Sequence, residues 1–231
     1  MNFKLNTALV FALLNASPAF AGITFFDDQA TFLSATGATS ATGPLPSLPN
    51  PHLSSAHIGS VTFYDVNGNG FWVGGLENYS PSDFTLLLEG HELAINSTEN
   101  LDVVFDAPVY SAGFQFAEPG PQPSMNASSP YANDVNYPFY DSIFTVTLKS
   151  NTTVVEVFTF NAPDETASFV GVWSDVAFDR MEIRETSGGI EDEYFGQFYT
   201  GSAAPVPEPE TWALMLAGLG LVGFAASRRR V

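Results

Sequence analysis

Short runs of alternating apolar and polar residues limit the fold of this chain more than any other feature. The clearest runs span residues 143–148 (IFTVTL) and 154–160 (VVEVFTF). Alternation with a period of two places one face of a strand on the core and the other in solvent. Pro, Gly, Asn and Ser interrupt such runs at short intervals, and no long amphipathic helix or repeat is evident. We therefore predict an all-β fold, an antiparallel two-sheet sandwich of jelly-roll type with roughly ten to twelve strands.

Several segments interrupt the predicted strands. Residues 28–35 follow the pattern of a short helix, with Asp28 as its N-cap. Residues 43–60 and 117–140 are rich in Pro and are predicted to be long loops. Pro108 is expected to end one strand, at residue 105, and to precede another that begins at residue 109. Residues 168–173 and 176–184 are likewise predicted to be two separate strands.

The N-terminus has the three parts of a secretory signal peptide. Lys4 supplies a basic start, residues 5–14 are mostly apolar, and Ala19 and Ala21 form a small-x-small cleavage site. The sequence therefore predicts a signal helix over residues 1–21, removed by signal peptidase, so that the mature chain begins at Gly22.

The C-terminus combines an apolar run with a basic end. Residues 212–226 carry no charge, and with their flanks they would form about 25 Å of helix, the short end of a membrane-spanning segment. The arginines after this run should remain on the cytoplasmic side. The sequence thus predicts a C-terminal transmembrane helix.

The order of motifs in this tail is more specific than that of a general anchor. A Val-Pro-Glu-Pro motif, the apolar run and an arginine cluster follow one another at the end of the chain: Val206, Pro207, Glu208, Pro209, then Arg228, Arg229 and Arg230. This arrangement resembles the PEP-CTERM sorting signal of exopolysaccharide-producing Gram-negative bacteria. An ordinary C-terminal anchor is the alternative.

The resemblance implies a route and a destination. An exosortase would recognise the tail after export through the inner membrane and cut near Pro-Glu-Pro. The chain would be anchored only transiently and would then reach the cell surface, the extracellular matrix or a biofilm. The chain is therefore expected to have three segments: a signal peptide at 1–21, a β-sandwich domain at 22–204, and the sorting signal with its transmembrane helix at 205–231.

The charge of the predicted domain excludes one class of partner. Of the 25 acidic residues of the chain only Glu208 and Glu210 lie in the tail, whereas the domain's basic residues are Lys149, Arg180 and Arg184 alone, so its net charge is about −20. Such a surface repels nucleic acid and suits cations or neutral polymers. The absence of cysteine excludes disulfides and thiol catalysis.

Calcium is the cofactor that the acidic residues suggest, although the composition alone requires none. The stretch DVNGNG at 65–70 matches the first half of an EF-hand loop, with Asp65, Asn67 and Asn69 as oxygen ligands. The match fails at the twelfth position, which is Leu76. A plain turn, such as the tight turn of a hairpin, is the alternative.

The later strands resemble those of lectin-like and carbohydrate-binding-module sandwiches. The resemblance rests on the order of four segments: VVFDAPVYSAGFQF at 103–116, FVGVWS at 169–174, FDRMEIRE at 178–185 and IEDEYFGQFY at 190–199. It implies a second candidate calcium site, in which Asp192 on the last strand meets Asp27 or Asp28. A solvated acidic edge is the alternative.

Exposed aromatic side chains are the candidates for saccharide binding, because their rings stack on the apolar faces of sugars. They are Tyr131, Tyr137 and Tyr140 in the second long loop, together with Trp72. No nucleophile elbow occurs, and no acidic pair is marked as catalytic. We therefore expect a non-enzymatic surface or matrix protein associated with exopolysaccharide. A carbohydrate-binding module with a defined site is the alternative, and a secreted glycosidase is a weaker one.

Overall fold

The computed structural model describes residues 22–49, 52–74, 90–95, 98–118, 142–163, 166–187, 193–203 and 218–219. Between residues 22 and 203 the described chain forms one helix and eleven strands, and all the pairings between these strands are antiparallel; residues 218–219 are also helical. The predicted antiparallel β fold is therefore confirmed.

The elements follow one another in this order: β1 Ile23–Phe26, α1 Gln29–Thr36, β2 Thr39–Ser40, β3 Ser55–Ile58, β4 Val61–Asp65, β5 Phe71–Gly74, β6 Glu92–Ile95, β7 Leu101–Ala117, β8 Ile143–Ser150, β9 Thr153–Phe160, β10 Ser168–Ser187 and β11 Tyr194–Gly201.

Two long strands, β7 and β10, each belong to both layers of the sandwich. The first part of β7 pairs with β4 on one side and with the second part of β10 on the other, and β8 and β9 continue that layer. The second part of β7 pairs with β11 and with the first part of β10. Strands β1, β2, β5 and β6 complete this second layer.

Pro108 does not divide β7, contrary to the sequence-based expectation. It is exposed, and it has no partner residue on β4 or β10. The ladder between β7 and β10 shifts register at this point, between Val109 and Val104, and also between Ser111 and Val109. Because proline lacks a backbone N–H, it is tolerated where the strand passes from one layer to the other without ladder pairing. The expected break between residues 173 and 176 is also wrong, since β10 continues through a register shift there.

The turn at 65–70 does not close a hairpin. Strand β4 pairs with β3 and β7, whereas β5 pairs with β6, so the turn connects two strands that are not neighbours. Gly68 and Gly70 have φ angles of 79° and 76°, values that favour glycine. The predicted turn chemistry is thus present, but it serves a connection between the layers.

Phenylalanine side chains fill the space between the layers. Phe114 and Phe116 of β7 point from the second layer onto Phe160 of β9, with ring centroids 5.9 and 5.4 Å apart. Phe63 of β4 meets Phe198 of β11 at 4.9 Å in an edge-to-face arrangement. Such pairs add to the hydrophobic gain of burying each ring.

The short helix forms as predicted. The Asp28 carboxylate accepts a hydrogen bond of 2.7 Å from the backbone N–H of Thr31, as an N-cap does. Gly37 ends the helix in a left-handed conformation. Phe32, which is fully buried, fixes the helix on β10 through a ring contact of 5.1 Å with Phe169.

The remaining expectations fall partly outside the described residues. The first long loop contains β3, which the sequence pattern did not reveal. Most of the second loop, the signal peptide and nearly all of the tail lie outside the described ranges. Among the described residues, no helix has the length and apolarity needed to cross a membrane.

Truncation of Phe114 tests the core between the layers. Phe114 is fully buried, so Phe114→Ala should lower the free energy of unfolding by about 3–5 kcal/mol. Val154→Thr on β9 is the control: that side chain is 51% exposed, and its substitution should change the free energy by less than about 0.5 kcal/mol. Urea unfolding of the full-length chain in detergent measures both values. Equal effects of the two substitutions would contradict this arrangement of the core.

Candidate functional site

A group of three glutamates lies where β7, β10 and β11 come together. Glu99 lies two residues before β7, Glu185 is near the end of β10, and Glu193 directly precedes β11. Each contributes one carboxylate oxygen to a set in which all the atoms lie within 4.8 Å of one another. We refer to these three residues as the glutamate cluster.

The strand register places Glu185 beside Glu99. Ile183 of β10 is opposite Leu101 of β7, so two residues further along the antiparallel ladder Glu185 lies opposite Glu99. The backbone N–H of Glu99 donates to Oε2 of Glu185 at 2.9 Å, and the N–H of Glu185 donates to Oδ1 of Asn100 at 3.2 Å. Since side chains alternate along a strand, Glu185 shares the inward face of β10 with the buried Ile183.

Two of the three glutamates are deeply buried, and Glu185 is half-buried. Glu99 and Glu193 have no solvent exposure. Within the described part of the chain, the carboxylate oxygens of these two residues make no hydrogen bond of standard geometry, although the Ser142 hydroxyl is close enough to Glu193 to lower its pKa slightly against the effect of burial. Burial raises the pKa of Glu193 to about 8. Burial, followed by the nearby Glu193 carboxylate, raises the pKa of Glu99 well above its ordinary range. The site thus opposes full ionisation unless a positive charge enters it.

The basic side chains of the domain lie on the other face of β10. Arg180, Glu182 and Arg184 alternate with the inward residues, so they point away from Glu185. Lys149 Nζ lies 2.7 Å from the Glu182 carboxylate, and Arg180 lies 3.6 Å from it. Arg184 lies 2.5 Å from Asp102. These are the only Lys and Arg residues between positions 22 and 204, and all three therefore have acidic partners outside the cluster.

The DVNGNG stretch uses its carboxylate within the turn. Asp65 accepts hydrogen bonds from the backbone N–H groups of Asn67 at 3.1 Å and of Gly70 at 2.9 Å. The Asn67 amide donates to the carbonyl of Thr98 at 2.5 Å, and Asn69 is exposed. Calcium binding by Asp65, Asn67 and Asn69 stays a prediction, but the turn is complete without it.

The second calcium pair cannot be compared in space, because Asp192 lies outside the described residues. Asp27 is exposed just after β1, and Asp28 caps the helix. The acid of this segment that enters the interior is Glu193. Its burial could have been suspected from the period-two pattern, which places Glu193 on the same face of the chain as the buried Phe195.

A groove with exposed aromatic side chains is a second candidate site. It has a volume of about 660 Å³ and lies between the end of β1, the end of β9 and the start of β10. Phe25 is 54% exposed, and its ring centroid is 4.8 Å from that of Phe158. Asp27, Thr159 and Asn161 add polar groups to the lining. We refer to this feature as the Phe25 groove.

The aromatic residues predicted from the sequence do not line this groove where the structure describes them. Trp72 is half-buried, its indole Nε1 is buried, and it packs beside Ala94, Ala117 and Tyr194. Tyr131, Tyr137 and Tyr140 lie outside the described residues. Alternation along β1 gave no signal that Phe25 is exposed, since it places Phe25 on the same strand face as Ile23, which packs against the core.

A buried carboxyl outside the cluster leads to a prediction of pH dependence. Glu92 on β6 is 2% exposed, and burial raises its pKa to about 7 from 4.5. As the pH rises from 4.5 to 7 the unfolded chain therefore releases this proton first, and folding stability falls. Glu92→Gln should leave stability at pH 4 nearly unchanged and increase it at pH 8 by about 2–3 kcal/mol.

Urea unfolding of both chains across this pH range measures the difference. Other acids titrate in both proteins, so only the difference between variant and wild type reports on Glu92. A difference that is constant with pH would contradict the role of burial at this residue.

Comparison with known proteins identifies one segment of the chain. Residues 205–230 match a family model described as the PEP-CTERM protein-sorting motif. No curated protein matches the chain.

Solved structures similar to the chain include two mutants of CBM29-2, from work on ligand recognition by family 29 carbohydrate-binding modules. The first is 11% identical and is aligned over 81% of this chain and 99% of the module, with a TM-score of 0.32. The second is 9% identical over 74% and 98%, with the same TM-score. A TM-score below 0.5 does not establish a shared topology, so the fold assignment rests on the strand pairing described above. The comparisons thus assign residues 205–230 of this chain as a PEP-CTERM sorting motif.

Proposed function

We propose that this chain is a non-enzymatic protein that exosortase delivers to the cell surface, where its β-sandwich becomes part of an extracellular polysaccharide matrix. The sorting motif at residues 205–230 is the observation that carries this proposal. Such a motif implies export and sorting by exosortase, and the matrix is the destination that we add.

The proposed route follows from the two ends of the chain. Signal peptidase would cut after Ala21, and the apolar run at 212–226 would hold the exported chain in the membrane. Arg228, Arg229 and Arg230 would keep the C-terminus inside the cell. Exosortase would then cut near Pro207, Glu208 and Pro209, which releases the domain from its anchor.

The charge of the domain fits a polymer that is neutral. With a net charge of about −20, the domain would be repelled by anionic lipids and by strongly anionic polymers at low salt. A neutral polysaccharide carries no charge that would repel the domain. The same charge keeps the released domain soluble until it is retained.

The Phe25 groove favours a second candidate function, which is direct saccharide binding. Phe25 and Phe158 form an exposed apolar platform with their rings inclined at 55°. A pyranose ring could stack on this platform, while Asp27, Thr159 and Asn161 offer hydrogen-bonding groups at the edges. A matrix protein with such a groove would be retained by its polymer after its release from the anchor.

Substitution of the sorting motif tests delivery. The full-length chain carries one tag in the domain and another after Val231, and is produced in a host with exosortase. Wild type should lose the C-terminal tag and appear outside the cell, whereas Glu208→Ala with Pro209→Ala should retain the tag and stay in the membrane fraction. Immunoblotting of the fractions measures both properties.

Glu210→Ala is the matched control, because it removes a neighbouring acid outside the Val-Pro-Glu-Pro motif. Loss of the tag in a host that lacks exosortase would overturn the proposed route.

Truncation of the aromatic platform tests saccharide binding. Phe25→Ala should weaken the binding of neutral exopolysaccharide by about tenfold, or about 1.4 kcal/mol, because the exposed ring supplies the stacking surface. Affinity electrophoresis of the full-length chain in gels containing the polymer measures the change.

Tyr64→Ala is the control for loss of an exposed aromatic side chain, since Tyr64 lies on β4, outside the groove, and is 43% exposed. Equal retardation of wild type and Phe25→Ala would exclude the groove as the binding site. It would leave the sorting route unaffected.

A further inference from the structure

The glutamate cluster places carboxylates together in the interior without a positively charged partner among the described residues. Its three ligand oxygens lie within 4.8 Å of one another, and Glu99 and Glu193 are fully buried. Among the described residues, the carboxylate oxygens of these two glutamates make no hydrogen bond of standard geometry, and the one hydroxyl beside Glu193, that of Ser142, carries no charge. Ionised carboxylates are costly to bury without a partner, so such a group either stays protonated or is neutralised by a bound cation.

We propose that Glu99, Glu185 and Glu193 together bind one calcium ion. Calcium takes oxygen ligands at about 2.3–2.6 Å, so two oxygens on opposite sides of the ion are about 5 Å apart. The spacing of the cluster fits that limit. Three carboxylates also supply up to six oxygens when each is bidentate, which reaches the lower end of the coordination number of calcium.

The nature of the ligands and their burial favour calcium over other divalent ions. The cluster consists of carboxylate oxygens, with no histidine or cysteine, whereas zinc and copper prefer nitrogen and sulfur. Magnesium also takes oxygen ligands, but it gives up its bound water reluctantly. Because Glu99 and Glu193 are inaccessible to solvent, the ion must lose most of its hydration shell there.

The basic residues of the domain cannot take the place of this ion. Arg180 and Arg184 lie on the opposite face of β10 from Glu185, and Lys149 contacts Glu182 on that same outer face. The arginines of the tail belong to the sorting motif. Among the described residues, no Lys or Arg thus supplies a positive charge to the cluster, and the proposed ion would come from solution.

Calcium at this position would connect three strands of the central sheet. Glu99 leads into β7, Glu185 lies near the end of β10 and Glu193 leads into β11. These strands are neighbours in the order β11, β7, β10. The ion would thus stabilise the fold by fixing chain segments whose side chains otherwise repel one another.

Thermal unfolding and calorimetric titration of the full-length chain in detergent test the proposal. The protein is first treated with chelator and is then titrated with calcium chloride at pH 7.5. We expect one calcium ion per chain, and a rise in Tm of about 5–10 °C at a calcium concentration a hundredfold above Kd. Magnesium chloride at the same concentration should give a smaller rise.

Two substitutions in the cluster make the test specific. Glu99→Gln and Glu193→Gln each remove one negative charge with little change of shape, so the variants should fold at least as well as wild type in chelator. Each should weaken calcium binding by at least tenfold and abolish most of the rise in Tm. Retention of the full rise by both variants would overturn the assignment of these residues.

Two further variants are the controls. Glu156→Gln removes an acid of β9 whose carboxylate accepts a hydrogen bond from the backbone N–H of Val157, and it should bind calcium like wild type. Asp65→Asn removes the acid of the DVNGNG turn and should also retain binding. Loss of binding in Asp65→Asn alone would place the ion in that turn and overturn the proposal. Identical Tm values of wild type in calcium and in chelator would overturn it as well.

Discussion

The fold depends on two strands that are each long enough to belong to both layers. Strand β7 has 17 residues and β10 has 20, and they pair with each other in both layers through a change of register. Every other strand in the described part of the chain is joined to one of these two, directly or through one or two intervening strands. The phenylalanine core lies between the two layers because β7 and β10 contribute residues to both of them.

The alternation of side chains along β10 separates the charges of the domain. Arg180, Glu182 and Arg184 form ion pairs on the outer face, while Ile183 and Glu185 point into the interior. The outer network is partly exposed, so it contributes modestly to stability. The inner carboxylates are different, because burial strengthens their repulsion. At the junction of β7, β10 and β11 these carboxyls therefore either stay protonated or bind a cation, and the proposed calcium ion would allow them to ionise.

Local features of the fold could be predicted from the sequence, whereas features that join distant residues could not. The helix after Asp28 and the strand at 143–150 depend on capping and alternation within a few residues. The continuity of β7 through Pro108 depends on where β4 and β10 end their pairing, which no local pattern records. Likewise, two Asn-Gly pairs indicated a turn at 65–70, but not that its two strands belong to different layers.

The candidate site shows the same limit. From the sequence, Asp65 and the acids at 190–199 were the candidate calcium ligands. Glu193 is a candidate for a different reason, because the fold brings it beside Glu99 and Glu185, which are distant from it in sequence. A search for adjacent acids favours solvent-exposed runs and overlooks single glutamates at the ends of strands. The sorting motif, by contrast, could be predicted in full, because its parts follow one another in the sequence.

The most direct measurement of the central claim is a crystal structure of the chain grown with calcium, with diffraction data collected at a wavelength where calcium scatters anomalously. If calcium binds the glutamate cluster, we expect one strong anomalous peak about 2.3–2.6 Å from carboxylate oxygens of Glu99, Glu185 and Glu193. A cluster without such a peak, in which the protonated carboxyl groups are hydrogen-bonded to one another, would contradict calcium binding at this site.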